Sequence, residues 1–116
     1  MNARELKGLL AAYRIDCTDE LTLQDGIARI LTEHAVPFER EARLGARDRV
    51  DFLVGDVAIE CKIGGSVTEL IRQLTRYAWH ESVSELLVVT SRLRHNKTPA
   101  LLNEKRVVVL AMAVGL

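Results

Sequence analysis

The chain has 116 residues, of which 48% are hydrophobic and 28% are charged. This length suits one hydrophobic core, so we expect a single globular domain over residues 1–116. Sixteen basic and sixteen acidic residues give a net charge of zero. A general coat of positive charge is therefore excluded as the means of attracting nucleic acid, and any attraction must come from local clusters.

The cysteines and the apolar segments bear on where the protein acts. Cys17 and Cys61 are the only cysteines, which is not the pattern of a disulfide-stabilised secreted domain. No apolar run has the length of a membrane span, and the first residues lack the pattern of an export signal. We therefore expect a soluble, cytoplasmic protein with no membrane partner. His34 has no His or Cys companion at metal-ligand spacing, which argues against zinc.

Hydrophobic spacing predicts two helices and a strand in the first third of the chain. Apolar residues at helical intervals indicate a first helix over about residues 3–14. Thr22 and Asp25 resemble a capping box that opens a second helix, and Pro37 closes it. Alternating residues then predict a strand over residues 38–44.

Two runs of β-branched and aliphatic residues, Arg49–Val54 and Val57–Lys62, flank a Gly-Asp turn and predict a β-hairpin. Side chains alternate between the two faces of a strand. One face is then apolar and is expected to join the core through Val50, Phe52, Val54, Val57, Ile59 and Cys61. The other face carries Asp51 and Glu60, with Lys62 beside them.

Two carboxylates and an ammonium group presented together suit the hydrolysis of phosphodiester bonds. Mg²⁺ takes oxygen ligands, often one or two carboxylates with water and substrate phosphate, and a lysine beside it can orient the attacking water. The alternative is an ordinary surface ion pair, such as Glu60 with Lys62. The pattern alone does not decide between a metal-dependent catalytic site and a surface ion pair.

The second half of the chain predicts a helix, two strands and a short helix. Ser66 opens a capping box of the form S-x-x-E, so we expect a helix over Val67–Trp79. The apolar run in Glu85–Thr90 predicts a strand buried on both faces and reached by a parallel crossover. A Thr-Pro pair predicts a short helix over residues 98–102, and residues 107–112 predict the last strand.

Three elements of the sequence resemble the PD-(D/E)XK nuclease superfamily. Asp51, eight intervening residues and then Glu60-Cys61-Lys62 resemble its core signature. The segment Gln73–Tyr77 is similar to the Q-x-x-x-Y element of RecB-like members, and residues 24–36 are similar to the opening helix of archaeal Holliday-junction resolvases. Together these elements span most of the chain, from about Thr22 to Thr90.

Two positions depart from the superfamily pattern. Val50 stands where a proline is usual, and Gln24 stands where many members have a metal-binding acid. An amide binds a divalent cation less strongly than a carboxylate, so Gln24 is a weaker contributor. Glu20 is an alternative carboxylate near the same helix start, although acids are also favoured there by the helix dipole alone.

The resemblance implies an α/β fold with a restriction-endonuclease-like core, αβββαβ, in which helices flank a mixed sheet, plus an extra N-terminal helix. It also implies a Mg²⁺- or Mn²⁺-dependent nuclease that acts on DNA. Asp51, Glu60 and the backbone carbonyl of Cys61 would bind the metal. Lys62 would stabilise the attacking water, and Gln73 would assist.

Basic side chains and a tyrosine near these positions are candidate contacts to nucleic acid. Guanidinium groups bind phosphate through paired hydrogen bonds, and we expect contacts from Arg47, Arg49, Tyr77, Arg92, Arg94 and Lys97. The alternative for the basic residues is a solvated surface paired with nearby acids. For Tyr77 the alternative is a half-buried core position.

Two further functions are consistent with the sequence. The first is a domain of the same fold that has lost catalysis and only binds nucleic acid, which the amide of Gln24 allows. The second is a subunit of a larger assembly, suggested by the apolar segment over residues 107–116. Intact Asp51, Glu60 and Lys62 favour catalysis, and a homodimer would suit an enzyme that cuts two strands.

Overall fold

A computed structural model describes residues 1–112, which form three α-helices, one short 3-10 helix and six strands. The α-helices are α1 (Ala3–Ala11), α2 (Glu20–Glu33) and α3 (Val67–Ala78). The strands are β1 (Glu39–Arg43), β2 (Arg49–Val54), β3 (Val57–Lys62), β4 (Glu85–Thr90), β5 (Leu101–Leu102) and β6 (Lys105–Ala111). The 3-10 helix spans Leu93–Lys97, between β4 and β5.

The strands form one mixed sheet in the order β1-β2-β3-β4-β6-β5. β1, β2 and β3 are antiparallel neighbours, whereas β3, β4 and β6 run parallel. α3 forms the crossover between β3 and β4, because parallel neighbours require a long connection. The predicted α/β class, with helices flanking a mixed sheet, is confirmed.

Helices cover both faces of the sheet and divide the core into two layers. α1 and α2 pack against one face, which includes Phe52, Ile59 and Leu87. α3 packs against the other face, which includes Ala58 and Leu86. Neighbouring residues of β4 therefore point into different layers, and this explains why the strand is apolar throughout and buried on both faces, as predicted.

The predicted starts and ends of the first two helices need correction. α1 ends at Ala11 and does not extend to Arg14. α2 begins at Glu20, three residues earlier than the capping box suggested, because the side chain of Asp19 accepts a hydrogen bond from the Thr22 N–H at 2.7 Å. Aspartate is a good helix N-cap, and here Asp19 takes that position in place of Thr22, three residues later.

The helix predicted over residues 98–102 is wrong. The helical turn lies earlier, and the Thr98 hydroxyl donates to the His95 carbonyl at 2.7 Å, at the end of the 3-10 helix. Leu101–Leu102 forms β5 and pairs with the start of β6. The connecting residues Asn103 and Glu104 both have positive φ, 48° and 63°, as a tight hairpin turn requires.

No helix within residues 1–112 is long and apolar enough to cross a membrane. The apolar segment that suggested an assembly subunit begins in β6 and continues into residues 113–116, which lie outside the described residues. In β6 itself, Val107 and Leu110 are buried against the sheet's own helices.

Candidate active site

The backbone pairing between β2 and β3 stops before the strands end. Paired residues run from the turn only as far as Phe52 and Ile59. Beyond that level, side-chain carboxylates take the place of backbone carbonyls. The Asp51 N–H donates to Glu60 Oε1 at 3.3 Å, and the Cys61 N–H donates to Asp51 Oδ2 at 2.8 Å. The two acids are thus bound into the gap between the strands.

Asp51 and Glu60, here called the carboxylate pair, lie close together and are shielded from water. Glu60 is 4% exposed and Asp51 is partly buried. Burial, followed by the charge of Asp51, raises the pKa of Glu60 from 4.5 to about 8. Burial also raises the pKa of Asp51, helped by the charges of Glu20 and Glu41. Two acids in such surroundings hold one proton between them, or a cation in its place.

Lys62 completes the predicted set of catalytic side chains. Its Nζ lies 3.7 Å from Glu60 Oε2, and the side chain is 23% exposed. The lysine therefore contacts the buried acid and still reaches the surface beside it. Glu60 and Lys62 therefore lie together beside α3, and Asp51 adjoins Glu60 at the gap between the strands.

α3 adds a polar pair to this site. The Gln73 side-chain amide donates to the Tyr77 hydroxyl at 2.9 Å, and that hydroxyl lies 3.1 Å from the Arg49 carbonyl and 3.4 Å from Glu60 Oε2. Burial and the charge of Glu60 raise the pKa of Tyr77, so its hydroxyl remains a donor. Tyr77 is only 2% exposed. It supports Glu60 and Gln73 and offers little surface for direct contact with nucleic acid.

The apolar face of the predicted hairpin is divided between the two layers. Val50, Phe52 and Val54 are all buried, but Val50 packs with α3 while the other two pack with α1 and α2. The pairing of β1 with β2 is interrupted at this level, where Glu41 of β1, opposite Asp51, has a φ of +55° and the two do not pair. The interruption coincides with the point where Val50 and Phe52 enter different layers.

Gln24 and Glu20, the two candidates at the start of α2, lie in different surroundings. Gln24 is 7% exposed, and its amide oxygen accepts a long hydrogen bond of 3.4 Å from Arg40. No hydrogen bond within residues 1–112 joins it to the carboxylate pair. Glu20 is exposed at the start of α2, and its charge raises the pKa of Asp51. Within residues 1–112, neither Gln24 nor Glu20 forms a metal-binding group with the carboxylate pair.

The arginines predicted to contact nucleic acid fall into two groups. Arg49 is half exposed and forms a 3.0 Å ion pair with Glu41, while Arg47 and Lys97 are exposed. Arg92 and Arg94 use their Nε–H groups inside the molecule, donating to the Ile63 and Gly65 carbonyls at 2.8 and 2.9 Å. Their terminal amino groups remain exposed beside the loop that follows Lys62.

His95 holds the same loop in place, a role that was not predicted. The ring is fully buried, with Nδ1 2.5 Å from the Thr90 hydroxyl and Nε2 3.1 Å from the Gly65 carbonyl. The carbonyl must accept, so Nε2 carries a proton and Nδ1 accepts from threonine. Burial lowers the pKa of His95 and keeps the ring neutral. A lone histidine in a basic segment carries no pattern that marks such a partner.

A second cluster joins α3 to the loop before β2. Asp48 accepts from His80 Nε2 at 2.8 Å and from Arg76 Nε at 3.2 Å. These partners, His80 first, lower the pKa of Asp48. Arg76 is half exposed in this cluster.

The donor set fits a hard divalent cation only in part. Within residues 1–112, no group of three or more His, Cys, Asp or Glu side chains is arranged to hold a metal ion. The carboxylate pair supplies two oxygen-donor side chains. That number is sufficient for Mg²⁺ when water and substrate phosphate provide the remaining ligands.

Comparison of the chain with models of protein families, with curated proteins and with solved structures finds no match. Its function is therefore inferred from its own residues and fold.

Proposed function

We propose that the chain is a divalent-metal-dependent nuclease that hydrolyses phosphodiester bonds in DNA. The observation that carries this proposal is the convergence of Asp51, Glu60 and Lys62 at the gap in the hairpin, with Lys62 Nζ 3.7 Å from Glu60. Burying two acids side by side is costly unless they share a proton or bind a cation. A site of this kind is therefore expected to have a function.

The order of elements supports the restriction-endonuclease-like form of the fold. α2, β1, β2, β3, α3 and β4 follow one another as αβββαβ, and α1 precedes them as the extra helix. In this proposal the chain is a small member of the PD-(D/E)XK superfamily. Gln73 and Tyr77 on α3 lie beside the acids, as the Q-x-x-x-Y resemblance implies.

Asp51 and Glu60 would hold the cation, Mg²⁺ or Mn²⁺, together with the backbone carbonyl of Cys61. A bound divalent cation supplies a Lewis acid and lowers the pKa of water. The proton held by the carboxylate pair has to leave before the cation binds, because both occupy the same oxygens.

Lys62 is assigned to the attacking water. Its ammonium group donates hydrogen bonds and carries the positive charge that stabilises a hydroxide-like nucleophile and the developing charge on phosphate. Glu60 keeps this ammonium group beside the acids. Gln73 is positioned by the Tyr77 hydroxyl, and its remaining amide groups can bind water or phosphate oxygen.

Cleavage of single-stranded, duplex and branched DNA with Mg²⁺ or Mn²⁺ tests the proposal. We expect wild-type activity to be reduced by about 100-fold or more in Lys62→Ala, in line with the loss of a charge-stabilising group. Lys7→Ala, on α1 at the opposite face, is the matched control and should keep full activity. Undiminished cleavage by Lys62→Ala would overturn the assigned mechanism.

A binding-only domain is the second candidate function. It is favoured by the lack of a third metal-binding side chain within residues 1–112. DNA binding without cleavage in any metal would support it. A homodimer is a further proposal, and a monomeric mass in solution at micromolar concentration would contradict it.

A further inference from the structure

A cavity of about 390 Å³ opens next to the carboxylate pair, between the loop after β3 and the exposed side of α3. Its lining includes Lys62, Gly64, Gly65, Arg72, Gln73 and Arg76. Lys62 and Gln73 belong to the proposed catalytic site, so the cavity is continuous with it. The other lining groups have no role in the chemistry proposed above.

The charge of the cavity favours an anion. Three cationic side chains line it, those of Lys62, Arg72 and Arg76, against one acid, Glu69. Arg76 is partly neutralised by Asp48 at 3.2 Å. Arg72 is exposed and forms no ion pair or side-chain hydrogen bond with any residue from 1 to 112. A free guanidinium at the mouth of a concave site is suited to binding phosphate through two hydrogen bonds.

The size and rigidity of the cavity point to a part of a nucleic acid chain. Its volume lies at the lower end of the range for small-molecule sites, about 300–1,000 Å³, and exceeds the space that one phosphate needs. The loop wall is held by His95 and Arg94, both of which bond to the Gly65 carbonyl. The wall is therefore set before a ligand arrives, which lowers the entropic cost of binding.

We propose that this cavity is a subsite for a second phosphate of the DNA strand, next to the phosphate that is cut, with Arg72 as its main contact. This inference rests on the proposed function, since the neighbouring site is taken to be catalytic. The subsite would set the position of the strand along α3. It would also explain why Arg72 and Arg76 lie one helical turn apart on the same side as Gln73.

A substitution at Glu69 should strengthen DNA binding, whereas loss of Arg72 should weaken it. Ser66 caps the helix by accepting a hydrogen bond from the Glu69 backbone N–H at 3.1 Å. The Glu69 side chain is not needed for that bond. The carboxylate lies over the Gly65 turn, where a Cβ on that glycine would be 3.8 Å from Glu69 Oε2. This negative charge opposes a bound phosphate. Glu69→Gln should therefore strengthen binding while keeping the cap.

Binding of short, labelled single-stranded DNA in the presence of a chelator measures the subsite without cleavage. We expect Arg72→Ala to weaken binding about tenfold at low salt and to reduce the slope of log affinity against log salt by about 0.7, the value for one lost contact on a single strand. Arg29→Ala removes the same charge from an exposed position on α2 and should match the wild type. The affinity of Arg72→Lys should lie between those of the wild type and Arg72→Ala. Glu69→Gln should bind the DNA severalfold more tightly than the wild type.

Equal affinities for Arg72→Ala and Arg29→Ala would overturn the subsite, even if the wild type cuts DNA. So would a Glu69→Gln variant that binds no better than the wild type. If Arg72→Ala has the expected effect but the wild type cuts no DNA in any metal, the nuclease proposal fails and the subsite stands. Circular dichroism of each variant shows that the comparison is made between folded proteins.

Discussion

The backbone N–H of Asp51 donates to the side chain of Glu60, 3.3 Å away on the next strand. The bond links a candidate catalytic acid to the frame of the hairpin. The Cys61 N–H makes the matching bond to the Asp51 carboxylate at 2.8 Å. These acids therefore hold the strands together as well as forming the site, so their removal should affect stability and chemistry at once.

The raised pKa of Glu60 predicts how stability depends on pH in metal-free protein. The folded pKa is about 8 and the ordinary value is 4.5, so the folded state holds the proton more tightly than the unfolded state. This contribution is full below about pH 4.5 and is lost as pH rises through about 8. We expect the free energy of unfolding to fall by more than about 1 kcal/mol between pH 5 and pH 8.

Glu60→Gln should remove most of this pH dependence, because glutamine keeps an acceptor for the Asp51 N–H and has no proton to lose. Urea unfolding in the presence of a chelator, at pH 5 and at pH 8, measures the free energy of unfolding of each variant. Glu81→Gln, at an exposed position, is the control and should behave as the wild type does. A slope that persists in Glu60→Gln would show that another group titrates.

A divalent cation should stabilise the folded chain at pH 8. Because the ion binds only the folded carboxylate pair, a concentration of about 100 times Kd adds about 2.7 kcal/mol. Thermal unfolding with and without Mg²⁺ measures the gain. We expect it to disappear in Asp51→Asn and to remain in Asp56→Asn, an exposed acid in the hairpin turn. Equal stabilisation of both variants would place the ion elsewhere.

The Tyr77 hydroxyl should matter more than its ring. Tyr77→Phe keeps the buried ring but leaves Gln73 without its acceptor at 2.9 Å and Glu60 without a neighbouring donor. We expect a loss of about 1 kcal/mol in the free energy of unfolding, together with lower activity. Tyr13→Phe is the comparison, because its hydroxyl also forms a side-chain hydrogen bond, with His34, but at an exposed position where a hydrogen bond contributes less. If both variants unfold at the same urea concentration, the buried hydroxyl has no such role.

Thr90→Val tests the link between the basic segment and the loop after Lys62. Valine has nearly the shape of threonine, but His95 Nδ1 and the Arg92 N–H would both lose the Thr90 oxygen. We expect a loss of about 1–3 kcal/mol in stability, because these groups lie in a buried network. Thr68→Val on the exposed side of α3 should change stability by less than about 0.5 kcal/mol. Faster amide exchange in residues 63–66 of Thr90→Val alone would locate the effect.

The regular elements were predictable from local patterns. The bounds of β2, β3 and β4 match the runs of apolar residues, and Ser66 caps α3 as its S-x-x-E motif predicts. These features depend on spacing within one segment, which the sequence displays directly. The closeness of Asp51, Glu60 and Lys62 was predicted from neighbouring strands, although Val50 does not share the layer of Phe52 and Val54 as regular alternation implied.

Features that depend on contacts between distant segments were not predictable. The break in strand pairing at Asp51 lies opposite Glu41 on another strand, whose positive φ no local pattern indicates. Arg92 and Arg94 bind carbonyls about thirty residues earlier in the chain, so their basic pattern suggested only a surface role. Asp19 displaced Thr22 as the cap of α2 because both are good capping residues and the sequence does not rank them.

β1 forms one border of the sheet, and its sequence Glu-Arg-Glu-Ala-Arg places charge at nearly every position. Charged side chains and a distorted backbone discourage a foreign strand from adding to such a border. A neighbouring molecule would have to desolvate these groups to extend the sheet there. The β1 border of the sheet is thereby protected against aggregation through the addition of strands.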